Sequence, residues 1–208
     1  MKTSKLWINS TVRRNDEVND ILRDFAAEAG IAGRDYQHMC LLTEETLGMA
    51  HDSLKNFDGE IWLEKTAGGY EIILEADVRE SEEAGSALPA SVPGFMAKIA
   101  GMLNCSYMFE NTEEMPENLA VLLPDYMSYG APVRGDAPVW AGQWSLSAYR
   151  QNLQERRKKD PASEAGLEEL EKSIVASLAD EVNIGIHGQK IRLVISRAVR
   201  KEPAAGGN

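Results

Sequence analysis

The segment from Tyr36 to Asp77 limits what this chain can fold into more than any other, because its apolar period changes partway along it. Tyr36, Met39, Cys40, Leu42, Leu47, Met49, Ala50 and Leu54 are spaced as in a long helix starting after Gly33. Asp58-Gly59 reads as the turn that ends this helical stretch. From Glu60 to Lys65 the period drops to two, with Ile61 and Leu63 alternating against Glu60, Trp62 and Glu64. Ala67-Gly68-Gly69 supplies a tight hairpin, and Tyr70 to Ala76 returns with Ile72 and Leu74 alternating.

Upstream, Leu6, Ile8 and Val12 alternate as a first strand. Asn15 is placed to cap a helix over 16–29, with Asp16 and Glu17 in its first turn, Val18, Ile21, Leu22 and Phe25 at helical spacing, and Gly30 as its stop. The order is strand, helix, helix, strand, strand. Further on, Pro89 and Pro93 precede a helix expected over Phe95 to Leu103, and Ser106 to Phe109 reads as a short strand. Trp140 and Trp144 lead into a helix over 144–158 that ends in Arg156-Arg157-Lys158-Lys159, cations that suit a helix C-terminus. After Asp160-Pro161, Ser163 caps a helix carrying Leu167, Leu170, Ile174, Val175 and Leu178. Val182 to Ile186 and Ile191 to Val199 form a closing hairpin around His187-Gly188-Gln189. The residues from Lys201 read as a disordered tail.

The balance of charge bears on partners. Lys and Arg number 22 against 33 Asp and Glu, a formal net charge of -11. Nucleic-acid binding draws most of its affinity from basic groups on phosphates, so an acidic chain argues against it. No apolar run approaches the roughly 20 residues that span a bilayer, and no leader pattern is present, so a soluble cytoplasmic protein is expected, with no membrane contact. Cys40 and Cys105 make neither a disulfide framework nor a zinc site.

Two segments together resemble the GHKL ATPase domain, and most closely the small bacterial anti-sigma-factor serine kinases. The first runs from Leu6 to Asp77, with Glu44-Glu45-Thr46-Leu47-Gly48-Met49-Ala50 in its second helix. The second is Ser173-Ile174-Val175 through Leu178-Ala179-Asp180-Glu181-Val182, followed by the closing hairpin. The resemblance implies an α+β fold: a two-layer sandwich of the GHKL (Bergerat) type, a mixed sheet with helices on one face. It divides the chain into an ATPase-like domain at 1–79 and 163–200, a large insertion in the lid region at 80–162, and the tail at 201–208. The insertion has no match of its own.

In that family a helical Glu positions the attacking group, and an Asn one turn later binds magnesium. Glu45 falls at the first position and Met49 at the second. A thioether is a poor ligand for a hard cation. A strand-end Asp-x-Gly holds the adenine. Asp77 matches its Asp, but Val78 and Arg79 follow, so the glycine is lost. A Gly-x-Gly turn before the last helix cradles phosphates, and here Glu169 and Glu171 stand at those glycines. The helix through Leu167 and Leu170 also reads as continuous there, which leaves no free N-terminus. Three departures, each opposing Mg-ATP chemistry, imply a non-catalytic regulatory binding protein with a vestigial nucleotide cleft at Asp77 and Met49. No cofactor and no metal is expected. The alternative is a divergent ATP-binding serine/threonine protein kinase, with Glu45 as its catalytic residue and ATP and magnesium as cofactors.

Each of these residues also has a plainer reading. Glu45 also reads as a solvated or cleft-lining helix carboxylate, Asp77 as a turn residue, and Met49 as core or pocket filler. His51 suits a helix C-terminus, and His38 and His187 lack partners at metal-ligand spacing. Trp140, Trp144 and Tyr149 fit either a recognition surface or packing. The resemblance points to a protein partner, a sigma factor or an anti-anti-sigma-like regulator, and adds a homodimer as an assembly to test.

Overall fold

The structure is a computed structural model that describes residues 1–11, 15–54, 56–78, 142–156, 161–187 and 190–199. Among these residues six strands form one sheet: β1 (Leu6–Asn9), β2 (Phe57–Lys65), β3 (Gly69–Val78), β4 (Gly142–Ser145), β5 (Glu181–His187) and β6 (Lys190–Ala198). Their spatial order is β1-β2-β3-β6-β5-β4. Among the described residues every pairing is antiparallel, which differs from the mixed sheet the resemblance implied. The β2–β3 and β5–β6 hairpins are joined side by side, and each hairpin leaves one outer edge for a further antiparallel strand. The described helices are α1 (Asn15–Ala29), α2 (Gly33–Ser53), α3 (Leu146–Arg156), α4 (Pro161–Lys172) and α5 (Ile174–Leu178).

The two faces of the sheet have different company. On one face, register aligns Ile61, Leu74, Leu193 and Ile184 in one row and Leu63, Ile72, Ile195 and Val182 in the next. All eight are buried, and they share a single core cluster with Leu22 and Phe25 of α1, Leu42 of α2, Leu146 and Leu153 of α3, Leu170 of α4 and Val175 of α5. The helices therefore form one layer on one face, and the fold is α+β. Period-two alternation puts the intervening residues on the other face. There Trp62, Ile73, Val194 and Asn183 form one row. Trp62 and Ile73 are buried yet stand outside the core cluster.

Trp62 departs from its expected place among exposed polar residues because its neighbours cover it. Lys2 and Lys5 hold their ammonium groups 4.5 and 4.4 Å from its ring centroid. Its indole N–H donates to Glu64 at 2.7 Å. Lys2 pairs with Glu64 at 2.8 Å and Lys5 with Glu60 at 2.5 Å, which holds both cations over the ring.

Several boundaries are corrected. Asp58-Gly59 is no turn: both lie inside β2, opposite Asp77 and Ala76. A Cβ on Gly59 would come within 2.5 Å of the Glu75 carbonyl oxygen, so this glycine serves close strand approach. Residues 142–156 fall within the segment 80–162 that the sequence sets apart as an insertion. Gly142–Ser145 pairs with β5, and Leu146, Tyr149 and Leu153 of α3 lie in the core, so this part belongs to the main sheet and helix layer. Ser163 is not a cap, because α4 already begins at Pro161, a residue preorganised for a first helical position. The helix and strand expected over Phe95 to Leu103 and Ser106 to Phe109, Trp140, Cys105, Arg157-Lys158-Lys159 and the tail from Lys201 lie outside the described residues. No described helix is long and apolar enough to cross a membrane.

Candidate functional site

The α1–α2 junction fixes where α2 starts. Gly30 and Gly33 both take positive φ, 73° and 56°, which most side chains resist. The Ile31 N–H reaches back to the Ala26 carbonyl at 2.8 Å and closes α1. From Gly33, α2 crosses the core with Met39, Leu42, Thr43, Thr46, Met49 and Ala50 buried beneath it. The two buried hydroxyls are satisfied within the helix: Thr43 donates to the Met39 carbonyl at 2.8 Å and Thr46 to the Leu42 carbonyl at 2.7 Å.

Met49 is 7% exposed and belongs to the core cluster. Glu45, one turn earlier, is half-buried at the edge of that stripe, on the flank that also carries His38. Asp77 is elsewhere. In β3 the inward residues are Tyr70, Ile72, Leu74, Ala76 and Val78, so Asp77 shares the opposite face with Glu71 and Glu75. It pairs across the sheet with Asp58 and Lys190, and with them lines a depression of about 250 Å³ that also includes Glu60 and Glu75. The sheet thus lies between Asp77 and the helix that carries Glu45 and Met49.

The third motif region also differs from expectation. The helix is interrupted at Ser173, whose Oγ accepts from the Ala176 N–H at 3.1 Å and caps α5. Glu169 and Glu171 fall in the body of α4, one helix earlier. So a helix N-terminus does occur here, contrary to the continuous helix read from sequence. That helix is only 5 residues long, and the Ala176 N–H in its first turn is already met by Ser173.

A second cleft, about 270 Å³, opens between α1 and α2 and is lined by Val18, Leu22, Cys40, Glu44, Gly48 and His51 among others. The His51 ring stands edge-on to Phe57 at 5.7 Å. Glu45, Met49 and Asp77 line no part of this cleft. Among the described residues no group of three or more His, Cys, Asp or Glu side chains is arranged to hold a metal ion.

One polar cluster was missed in the sequence. Arg197, near the end of β6, occupies an inward position in the alternation Ile191, Leu193, Ile195, Arg197. Its Nη2 lies 2.8 Å from Nδ1 of His38 and 3.8 Å from the Asp35 carboxylate, and its Nη1 donates to the Leu178 carbonyl at the end of α5. The Asp180 N–H donates to the Ser196 carbonyl at 2.9 Å, and the Ala198 N–H donates to the Asp180 carboxylate at 2.5 Å. Tyr70 stands opposite Arg197 in the β3–β6 ladder. Its hydroxyl is buried without a hydrogen-bond partner, and burial drives its pKa well above the ordinary phenol range. The available signal was a charged residue in an inward strand slot, which needs a partner when buried.

Comparison of the chain with protein-family models, with curated proteins and with solved structures gives no match.

Proposed function

We propose that this chain is a non-catalytic binding protein, built on a scaffold resembling that of the anti-sigma-factor serine kinases, that acts by holding a regulatory protein partner and not by phosphorylating it. The observation that carries this reading is the position of Asp77 on the face of the sheet opposite Glu45 and Met49. An adenine held at Asp77 could not present its phosphates to Glu45, because the sheet stands between them. The burial of Met49 within the core adds to this, since a side chain committed to packing offers nothing to a cation.

Calorimetric titration with ATP, with and without magnesium, tests the proposal. The expected result is no saturable heat in either case. Magnesium-dependent binding that disappears in Glu45→Ala would overturn it and support an ATP-dependent protein kinase. The partner chemistry, a sigma factor or an anti-anti-sigma-like regulator, rests on the family resemblance alone.

A further inference from the structure

His38 sits between two arginines. Arg197 Nη2 is 2.8 Å from its Nδ1, and Arg34 donates its Nε–H toward its Nε2 at 3.3 Å. A neutral imidazole has one lone pair and one N–H on its ring nitrogens, so it accepts from only one of them. The shorter contact belongs to Arg197, whose side chain is 14% exposed. Arg34 is exposed and free to swing toward water. Thus His38 accepts from Arg197 in its neutral form, with the proton on Nε2.

The Arg197 guanidinium has few other anchors. Its Nε is buried without a partner, so its hold on the fold runs through the two terminal nitrogens: Nη1 on the Leu178 carbonyl, and Nη2 on His38 at 2.8 Å with the Asp35 carboxylate farther off at 3.8 Å. These contacts join the second turn of α2 to β6 and to the C-terminal end of α5. Among the described residues, the charged and titratable groups that face this junction are Arg34, Asp35 and Cys40 from α2, Arg197 from β6, Tyr70 from β3 and Asp180 from the α5–β5 connection. Glu45 lies two turns along α2 on the same flank, about 10 Å away by helix rise.

We propose that the His38–Arg197 contact is a pH-operated latch: protonation of His38 turns its acceptor into a second donor, sets an imidazolium against a guanidinium, and releases the end of α5 from α2. The directions of charge agree. Burial, Arg197 and Arg34, in that order, hold the His38 pKa below its ordinary value of 6.5, and Asp35 opposes them. The sign follows. In the released state His38 titrates near its ordinary value and binds more protons than in the latched state. The latch is therefore fully engaged above pH 6.5 and weakens progressively as pH falls below it.

The test is amide hydrogen exchange at Asp180 and Ala198, whose N–H groups bond between the α5–β5 connection and β6, and at Ala179, whose N–H closes the end of α5 on the Val175 carbonyl, expressed as protection factors at pH 7.5 and pH 5.5. In the unmodified chain protection is expected to fall several-fold at the lower pH. His38→Gln retains a side-chain acceptor but cannot take up a proton, and should keep protection high at both values. His51→Gln should leave the pH dependence intact. Arg34→Gln, at an exposed position, removes one of the two cations and should move the midpoint upward, which keeps the latch testable if His38→Gln fails to fold. Equal protection at both pH values in the unmodified chain, or an unchanged pH dependence in His38→Gln, would overturn the proposal. So would an unmoved midpoint in Arg34→Gln.

Discussion

The two faces of the sheet are made from the same strands yet are stabilised differently. On the helix face, Leu74 lies between Ile61 and Leu193 in a continuous apolar layer. On the other face, Ile73 and Trp62 are buried too, but the rows beside them are charged: Glu60, Glu75 and Arg192 on one side and Glu64 and Glu71 on the other. The first face depends on close packing of apolar groups. Around Trp62, the second depends on an aromatic ring roofed by two lysines whose charges are held by glutamates. Fractional exposure alone does not separate these cases, because Trp62 and Leu63 are 3% and 2% exposed.

The sharpest way to break this contrast is to truncate one residue on each face. Leu74→Ala should cost about 2–5 kcal/mol in chemical denaturation, since a core cavity there cannot refill with water. Trp62→Ala removes a larger side chain, yet should cost less, about 1.5–3 kcal/mol, because the space it leaves under Lys2 and Lys5 hydrates. A Trp62→Ala cost equal to or above that of Leu74→Ala would make the second face a true core. Gly59→Ala tests strand approach instead of burial. Its new methyl group meets the Glu75 carbonyl, so a loss of about 1–3 kcal/mol is expected in thermal unfolding.

Smaller effects sharpen the electrostatic half of the comparison. The hydrogen bond from Lys2 is the main cause that holds the Glu64 carboxyl below its ordinary pKa of 4.5, with help from Trp62 and against the effect of burial. A carboxyl depressed in the folded state contributes stability above its unfolded pKa and loses it as pH falls through the folded value. Stability should therefore decline below about pH 4.5 by under about 1 kcal/mol from this group, exposed as the pair is, and Lys2→Met should flatten that decline. Gly48→Ala is the control away from both faces. Nothing lies within 4 Å of a Cβ there, so the variant should gain up to about 1 kcal/mol of helix stability.

Much of the fold was legible. The hairpin at Ala67-Gly68-Gly69 and the two helices before it stand where apolar period and glycines put them, with Gly30 in the left-handed region that ends α1. Other features were not legible for identifiable reasons. Asp58-Gly59 carries a strong local turn signal, but its glycine answers to a neighbouring strand that no local pattern reveals. The break at Ser173 falls within an uninterrupted helical spacing of apolar residues, and only the Ser173 cap marks it. Gly142–Ser145 is too short to announce a strand, and its pairing with β5 bridges a long separation in sequence. Of the candidate site, Met49 and Glu45 were placed correctly on one helix. The alternation of Ile72 and Leu74 already sets Asp77 on the other face; that α2 packs on the Ile72 and Leu74 side is a matter of tertiary packing.

Local signals alone were enough for α1, α2 and the β2–β3 and β5–β6 hairpins, because helical and strand periods, glycine conformations and caps act over a few residues and need no distant partner. The sequence also puts Met49, Arg79, Glu169 and Glu171 at the positions where the proposed resemblance would require the residue types of Mg-ATP chemistry. Only the tertiary structure decided which carboxylates share a face, that two lysines cover Trp62, and that Arg197 meets His38 from the far end of the chain. Those outcomes turn on register across the sheet. A shift of one residue in any strand exchanges its two faces, and register is set by the packing of the whole layer and not by any stretch within it.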